Sequence, residues 1–356
     1  MVLKLEARHF SSAALILGCA GLSALLALYS PLALEGARNG LALCGQVIIP
    51  SMYPFFVLAG IFSRLDGARG PNAALGVILL GFLGGYPLGV KTAAQLLERG
   101  AVSRAGAQRL QLFCVNAGPA YLIGAVGAGM LGSRRAGAIL FASMLVSGLV
   151  IGGLAKFLPL GEGASLRETT PTLRRHPSTE GNEDCNKPFD HILLTAVTQA
   201  TGAVLGVCAW VVLFSALCAL LRLLPRALWP AIPTLNVLLE VSSGAAAVVR
   251  SGMPLPVLCA ALGWGGIAVH CQLLGDIRKT GLPLRLFWAS RLLHGALAAA
   301  VCTALLRRFP MEMPAAAMWG AGHGVRLWAV SAPAAAAALF FCAFLILDLD
   351  LGRKVC

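Results

Sequence analysis

Charge is scarce in this chain. Only 12% of its 356 residues are Asp, Glu, Lys or Arg, about half the share usual in a soluble domain. Acids are the scarcer kind, 15 against 28 Lys and Arg, which leaves a formal charge of +13. Hydrophobic residues make up 58%, and the mean hydropathy is +0.80. A soluble fold of that composition leaves much apolar surface in water, which excludes an ordinary globular, disordered or fibrous protein. The alternation of transmembrane strands is missing too, so the composition points to an all-α polytopic membrane protein. In such a chain a basic excess is a topology signal rather than a nucleic-acid footprint.

Chemistry-bearing motifs are also missing. No C-x-x-C occurs, and no cysteine stands at zinc-ligand spacing from a histidine. The cysteines fall mostly singly inside apolar runs and read as small packing residues. Gly127-x-Gly129-x-x-Gly132 has a dinucleotide spacing but no βαβ unit around it. Without a Ser-His-Asp set, a P-loop or a ligand cluster, no enzyme, cofactor or metal is expected.

What is present is a series of apolar runs, at about 12–30, 41–62, 73–97, 110–131, 136–157, 190–221, 232–249, 254–277, 286–306 and 328–347. The first, after Lys4 and Arg8, reads as a retained span rather than a cleaved signal. Residues 161–190 break the series with six acids and three prolines, a polar connector. The chain therefore divides into an N-terminal helix (1–40), a first repeat (41–157), the connector (158–189), a second repeat (190–308) and a C-terminal helix (309–356). Arg64, Arg69, Arg99, Arg104, Arg109, Arg134 and Arg135 are expected on one, cytoplasmic side.

Four runs are interrupted. Gly81 to Lys91 reads GFLGGYPLGVK and Asn116 to Gly132 reads NAGPAYLIGAVGAGMLG. Glu240 to Ala245 reads EVSSGA and Gly263 to Gln272 reads GWGGIAVHCQ. Backbone this breakable is tolerated at membrane depth only where protein or a watery cavity satisfies it. The pattern Ala142-Ser143-x-Leu145-x-x-Gly148 returns as Ala289-Ser290-x-Leu292-x-x-Gly295, and the same 147-residue offset carries Gly118 onto Gly265. Paired breaks in two halves point to inverted repeats, each with two hairpins, and to a site at their interface. G-x-x-x-G spacings at Gly81/Gly85, Gly85/Gly89, Gly148/Gly152 and Gly202/Gly206 indicate close helix packing.

Ionisable groups inside the runs are costly and therefore candidates for function. Lys91 follows the first break and is read as a cation facing a cavity; the bland alternative is a snorkelling lysine. Glu240 is either a coupling carboxylate meeting Lys91 or a helix cap. His270 and Gln272 follow the last break, and a structural histidine is the competing reading there. Asn116, before Gly118 and Pro119, offers an amide or caps a half-helix. Half-helices starting after Gly85, Gly118, Gly244 and Gly266 would aim positive dipole ends inward, which suits an anion. Glu240 and His270 would be groups able to change protonation during a transport cycle.

The stretches GGYPLGVKTAAQLLERGAVS, FCVNAGPAYLIGAVGAGMLG, LLEVSSGA and GWGGIAVHCQLL resemble the sporulation integral membrane protein family. That family has two nucleoside-recognition, or Gate, domains and is similar to concentrative nucleoside transporters. The resemblance implies a membrane transporter of a small anionic solute, dipicolinic acid moved into the forespore across the outer, mother-cell-derived membrane. Its partners would be lipid and that solute, with no nucleic acid. A nucleoside or other metabolite carrier, or a non-transporting scaffold for spore cortex or envelope assembly, are the alternatives. The site residues it implies are Gly84, Gly85, Tyr86, Pro87, Lys91, Asn116, Gly118 and Pro119 in the first repeat. In the second they are Glu240, Ser243, Gly244, Gly265, Gly266, His270 and Gln272.

Overall fold

The computed structural model describes residues 16–64, 70–160 and 189–311. Most of the connector, nearly all of the C-terminal helix, Arg69 and the start of the first run lie outside these residues. Among the described residues every regular element is helical. Helix α1 covers Ile16–Leu28 and α2 Ser30–Phe62, with a π-helical turn at Cys44–Ile48. Then come α3 (Gly70–Leu83), α4 (Tyr86–Glu98), α5 (Arg104–Phe113), the π-helical α6 (Ala120–Met130) and α7 (Arg134–Ala155). The second half holds α8 (Phe189–Leu220), two 3-10 turns to Ala231, α9 (Ile232–Leu239) and α10 (Val241–Arg250). It ends with α11 (Leu255–Trp264), α12 (Gly266–Thr280) and α13 (Leu284–Arg308). Among the described residues five segments are long and apolar enough to cross a membrane: Ser30–Phe62, Arg134–Ala155, Phe189–Leu223, Leu255–Thr280 and Leu284–Arg308. The chain is a polytopic helical membrane protein. The division expected at 40/41 falls inside α2, whose apolar sequence carries one helix through it.

The four breaks are of two kinds. At Gly85 the backbone takes φ 101°, open to glycine alone, and Pro87 then starts α4 where its missing N–H costs nothing. Helices α3 and α4 pack against each other, so this break reverses the chain. Helix α9 likewise folds back on α10 through one extended residue, Glu240. By contrast, α5 and α6 do not fold back, and neither do α11 and α12. Cys114 to Gly118 is a non-helical strip between two half-helices that continue onward. At Gly265 the left-handed turn offsets α12 from α11 within one 26-residue apolar segment. The expectation of two hairpins per half is thus corrected to one hairpin and one broken crossing. The second half-helix lies back on the first at Gly85 and at Glu240, and continues onward after the strip at 114–118 and after Gly265.

Each half runs long helix, hairpin, broken crossing, long helix. Packing gives the directions. Gly36 backs onto Ser215 and Ala216 while Gly60 backs onto Ala196, so α2 and α8 are antiparallel. Arg135 reaches the carbonyl of Pro310 and His294 that of Met144, so α7 and α13 are antiparallel too. Arg99 donates to Ser63 O at 3.1 Å, and Lys279 pairs with Glu98 at 3.0 Å, gathering these residues at one end of the bundle. The chain crosses from Arg104 to Arg134 through α5 and α6. Arg134 and Arg135 therefore lie at the opposite end from Arg64, Arg99 and Arg104. The single-sided cluster of arginines is corrected, because a broken helix that looked like a hairpin is a crossing.

Small residues set the closeness of this packing. A Cβ on Gly89 would stand 2.2 Å from the Cys114 carbonyl oxygen, and one on Gly81 2.9 Å from the Cys114 Cβ. Gly148 and Gly152 receive the rings of Phe82 and Phe113. Gly202 and Gly206 have nothing within 4 Å, so that pair makes no helix contact.

Candidate functional site

The breaks meet at the centre of the molecule. A Cβ on Gly118 would lie 2.7 Å from Leu83 O and 3.2 Å from Gly85 N, which puts the two breaks of the first half backbone to backbone. In the second half a Cβ on Gly266 would lie 3.0 Å from Val241 N and 3.1 Å from Glu240 Cα. The two pairs join at Tyr86, whose ring approaches Gly265 and whose hydroxyl donates to Leu262 O at 2.7 Å. That carbonyl is in the last turn of α11, where intrahelical donors run out. Trp264 closes the second half similarly, its indole N–H 3.3 Å from Leu238 O.

Against this junction lies a cavity of about 620 Å³ of empty space, mouth included. Its wall takes residues from the first hairpin (Gly84, Gly85, Tyr86, Pro87), the second break (Ala117, Gly118, Ala120, Tyr121), the third (Glu240, Val241, Ser242) and α12 (Val269, Gln272). Helices α2 and α8 close it with Ile48, Met52, Val207 and Val211. Both halves of the chain are needed to make it.

Seven residues singled out in the sequence therefore share one wall: Gly84, Gly85, Tyr86, Pro87, Gly118, Glu240 and Gln272. Glu240 is wholly buried, and its carboxylate caps its own helix. One oxygen accepts from Ser242 N–H at 2.9 Å and the other from Ser243 N–H at 2.6 Å. The positive end of α10 thus stabilises the charge. The cap reading of Glu240 is what the geometry displays, at a position that also faces the cavity. Ser243 and Gly244 stand behind it; a Cβ on Gly244 would meet Val237 Cα at 2.5 Å, so this glycine closes the hairpin.

Other expectations are corrected. Lys91 does not meet Glu240 or His270. Five residues beyond Tyr86, it is turned by about 140° around α4, and it lines a separate cavity of about 250 Å³ with Gln95 and Gln199. Its ammonium lies 5.9 Å from the Phe56 ring centroid. His270 is buried away from the main cavity, against Trp264, Phe287 and Trp288. Its Nε2 lies 2.9 Å from the Trp264 carbonyl, which requires Nε2 to carry the proton and donate. It turns away because Val269 and Gln272, one position before and two after, face the cavity. Asn116 is buried as well, its amide donating to Phe113 O at 2.7 Å, an end cap for α5. Pro119 starts α6, and Gly265 and Gly266 act through backbone packing rather than as cavity wall.

Two buried residues were missed. Arg291 and His294 sit inside α13, 1% and 0% exposed. The guanidinium donates to Leu112 O and to Val115 O at 2.6 Å, and reaches His294 Nδ1 at 3.3 Å. His294 Nε2 in turn lies 3.2 Å from Met144 O, so it carries the proton and Nδ1 accepts. The signal was an arginine within an apolar run, with a histidine one turn on.

The chain is similar to the sporulation integral membrane protein YlbJ of Bacillus subtilis (strain 168). The two are 26% identical over 309 residues, covering 74% of this chain and 75% of the relative. No family model matches, and no solved structure matches. The similarity supports the sporulation membrane protein family that the Gly-rich motifs resemble.

Proposed function

We propose that this chain is a transporter that binds a small solute in the cavity where its four broken helices meet, with dipicolinate carried into the forespore as the leading substrate. The observation that carries the reading is the convergence of both halves on that cavity. A scaffold has no need of a chamber built from breaks that cost backbone hydrogen bonds. The common order of elements, with helices paired antiparallel, supports two inverted Gate-type repeats rocking about a shared site. The first turns of α4 and α6 border the cavity and direct N–H groups and positive dipole ends into it, which suits a carboxylate. The relative's sporulation name supports the setting, including a place in the outer forespore membrane.

One observation favours a second reading. Among the cavity-lining residues no Lys, Arg or His occurs, and Glu240 is the one carboxylate. An uncharged, hydrogen-bonding solute such as a nucleoside fits that lining. Proteoliposomes holding the purified protein alone separate the two, given labelled dipicolinate in one set and labelled uridine in another. Dipicolinate uptake above that of empty vesicles is expected; uridine uptake alone selects the second reading, and uptake of neither overturns transport of both classes.

A further inference from the structure

We infer that Arg291 is the specificity-determining charge of the cavity, a buried cation that holds the second break in place and makes the chamber attract anions. The inference deepens the anionic-solute reading and rests on it. Arg291 is 1% exposed, deep within a helix apolar enough to cross the membrane. All its hydrogen-bond partners are neutral: the carbonyls of Leu112 and Val115, Ser290 Oγ at 3.4 Å and His294 Nδ1 at 3.3 Å. His294 adds no compensating charge, since its Nε2 donates to Met144 O and its Nδ1 accepts from the guanidinium. Buried charges are ordinarily paired, because an unpaired one forfeits its hydration without recompense. Among the described residues its balance is the carbonyl end of α5, worth a fraction of a charge.

Its position makes that surplus useful. Leu112 is in the last turn of α5, and Val115 is in the non-helical strip that continues to Ala117 and Gly118 on the cavity wall. Holding those two carbonyls fixes where the strip ends and α6 begins, and so where the α6 N-terminus points. Tyr86 stands between the halves on the cavity wall, its hydroxyl donating to Leu262 O. The carboxylate of Glu240 is engaged by two N–H groups of its own helix, whereas the guanidinium is held by neutral acceptors alone among the described residues. An anionic solute supplies the counter-charge that the protein withholds. No contact between Arg291 and solute is needed; it is a positioning and field-setting residue.

The test reads the potential of the cavity without using the solute. Cysteine is placed at Ala120, a cavity-lining residue, and its modification is followed at that peptide by mass spectrometry. Two methanethiosulfonate reagents are compared, one anionic (ethylsulfonate) and one cationic (ethyltrimethylammonium). With Arg291 intact, the anionic reagent is expected to react faster relative to each reagent's rate with free thiol. Arg291→Gln should lower the anionic-to-cationic ratio at least about tenfold, as expected for one unit charge in a medium of reduced dielectric. Arg291→Lys should keep it. If the cationic reagent is favoured with Arg291 intact, or the ratio is unchanged in a folded Arg291→Gln protein, the inference is overturned. The first of these outcomes needs no variant of Arg291 to fold. Failure of dipicolinate uptake alone would sink the substrate and leave this measurement standing.

Discussion

Glu240 shows how one side chain can look like a functional charge in sequence and prove to be held by its own backbone. Both its oxygens are occupied by the N–H groups two and three residues on. A glutamine there keeps one acceptor oxygen and turns an NH₂ toward the other donor. Glu240→Gln is therefore expected to destabilise the folded protein by about 1–3 kcal/mol, the cost of a buried donor left unmet. Thermal unfolding in detergent checks this, and a melting temperature equal to wild type would contradict the cap. Lys91 leads to the opposite expectation. Facing the smaller cavity, with the opposite charge of Asp276 close enough to offset its own, it should matter little to solute held in the main one, so Lys91→Met should change the dissociation constant less than about threefold. A loss of binding by Lys91→Met, followed by calorimetry, would return that lysine to the site.

At the scale of elements, the breaks depend on backbone-to-backbone approach that no side chain can replace. Gly118 is the clearest case, since a Cβ there would come 2.7 Å from a carbonyl oxygen in the neighbouring hairpin. Gly118→Ala forces the two breaks of the first half apart, and a loss of about 1–3 kcal/mol is expected from such overpacking. Denaturant or thermal unfolding reads it, with Gly202→Ala as the control, since Gly202 has open space around it and should lose little. The existence of these breaks was legible in the sequence, because clustered glycine and proline inside an apolar run interrupt the helix that contains them. Their kind was not. Whether a break folds back or runs on is set by the backbone conformation at the break, extended at Glu240, where α10 folds back on α9, and left-handed at Gly265, where α12 runs on, and composition does not distinguish these. The cavity wall was legible in part for the same reason. Gly84 to Pro87, Gly118 and Glu240 stand at or beside a break, whereas Lys91, His270 and Gln272 lie four to six residues beyond one, where the turn of the helix brings only Gln272 to the cavity. Val207 and Val211 line the cavity from sequence that looks like ordinary span.

At the scale of the molecule, the directions of the helices make a topological claim. The α4–α5 turn near Arg99 and the α10–α11 turn near Gly252 belong to hairpins that open toward opposite ends of the bundle. Single cysteines at Ala101 and Gly252, labelled with a membrane-impermeant maleimide in right-side-out vesicles, should react from opposite sides. Labelling of both from one side would contradict the antiparallel arrangement of the halves.

The central claim is that the chamber between the breaks is the path of the solute, and Ala120 gives direct access to it. Proteoliposomes carrying Ala120→Cys are assayed for labelled dipicolinate uptake before and after alkylation with a bulky maleimide, the extent at the introduced thiol being read by peptide mass. The account predicts uptake by the unmodified variant and its loss in proportion to the alkylation of that thiol. Undiminished uptake with the introduced thiol fully alkylated would contradict it.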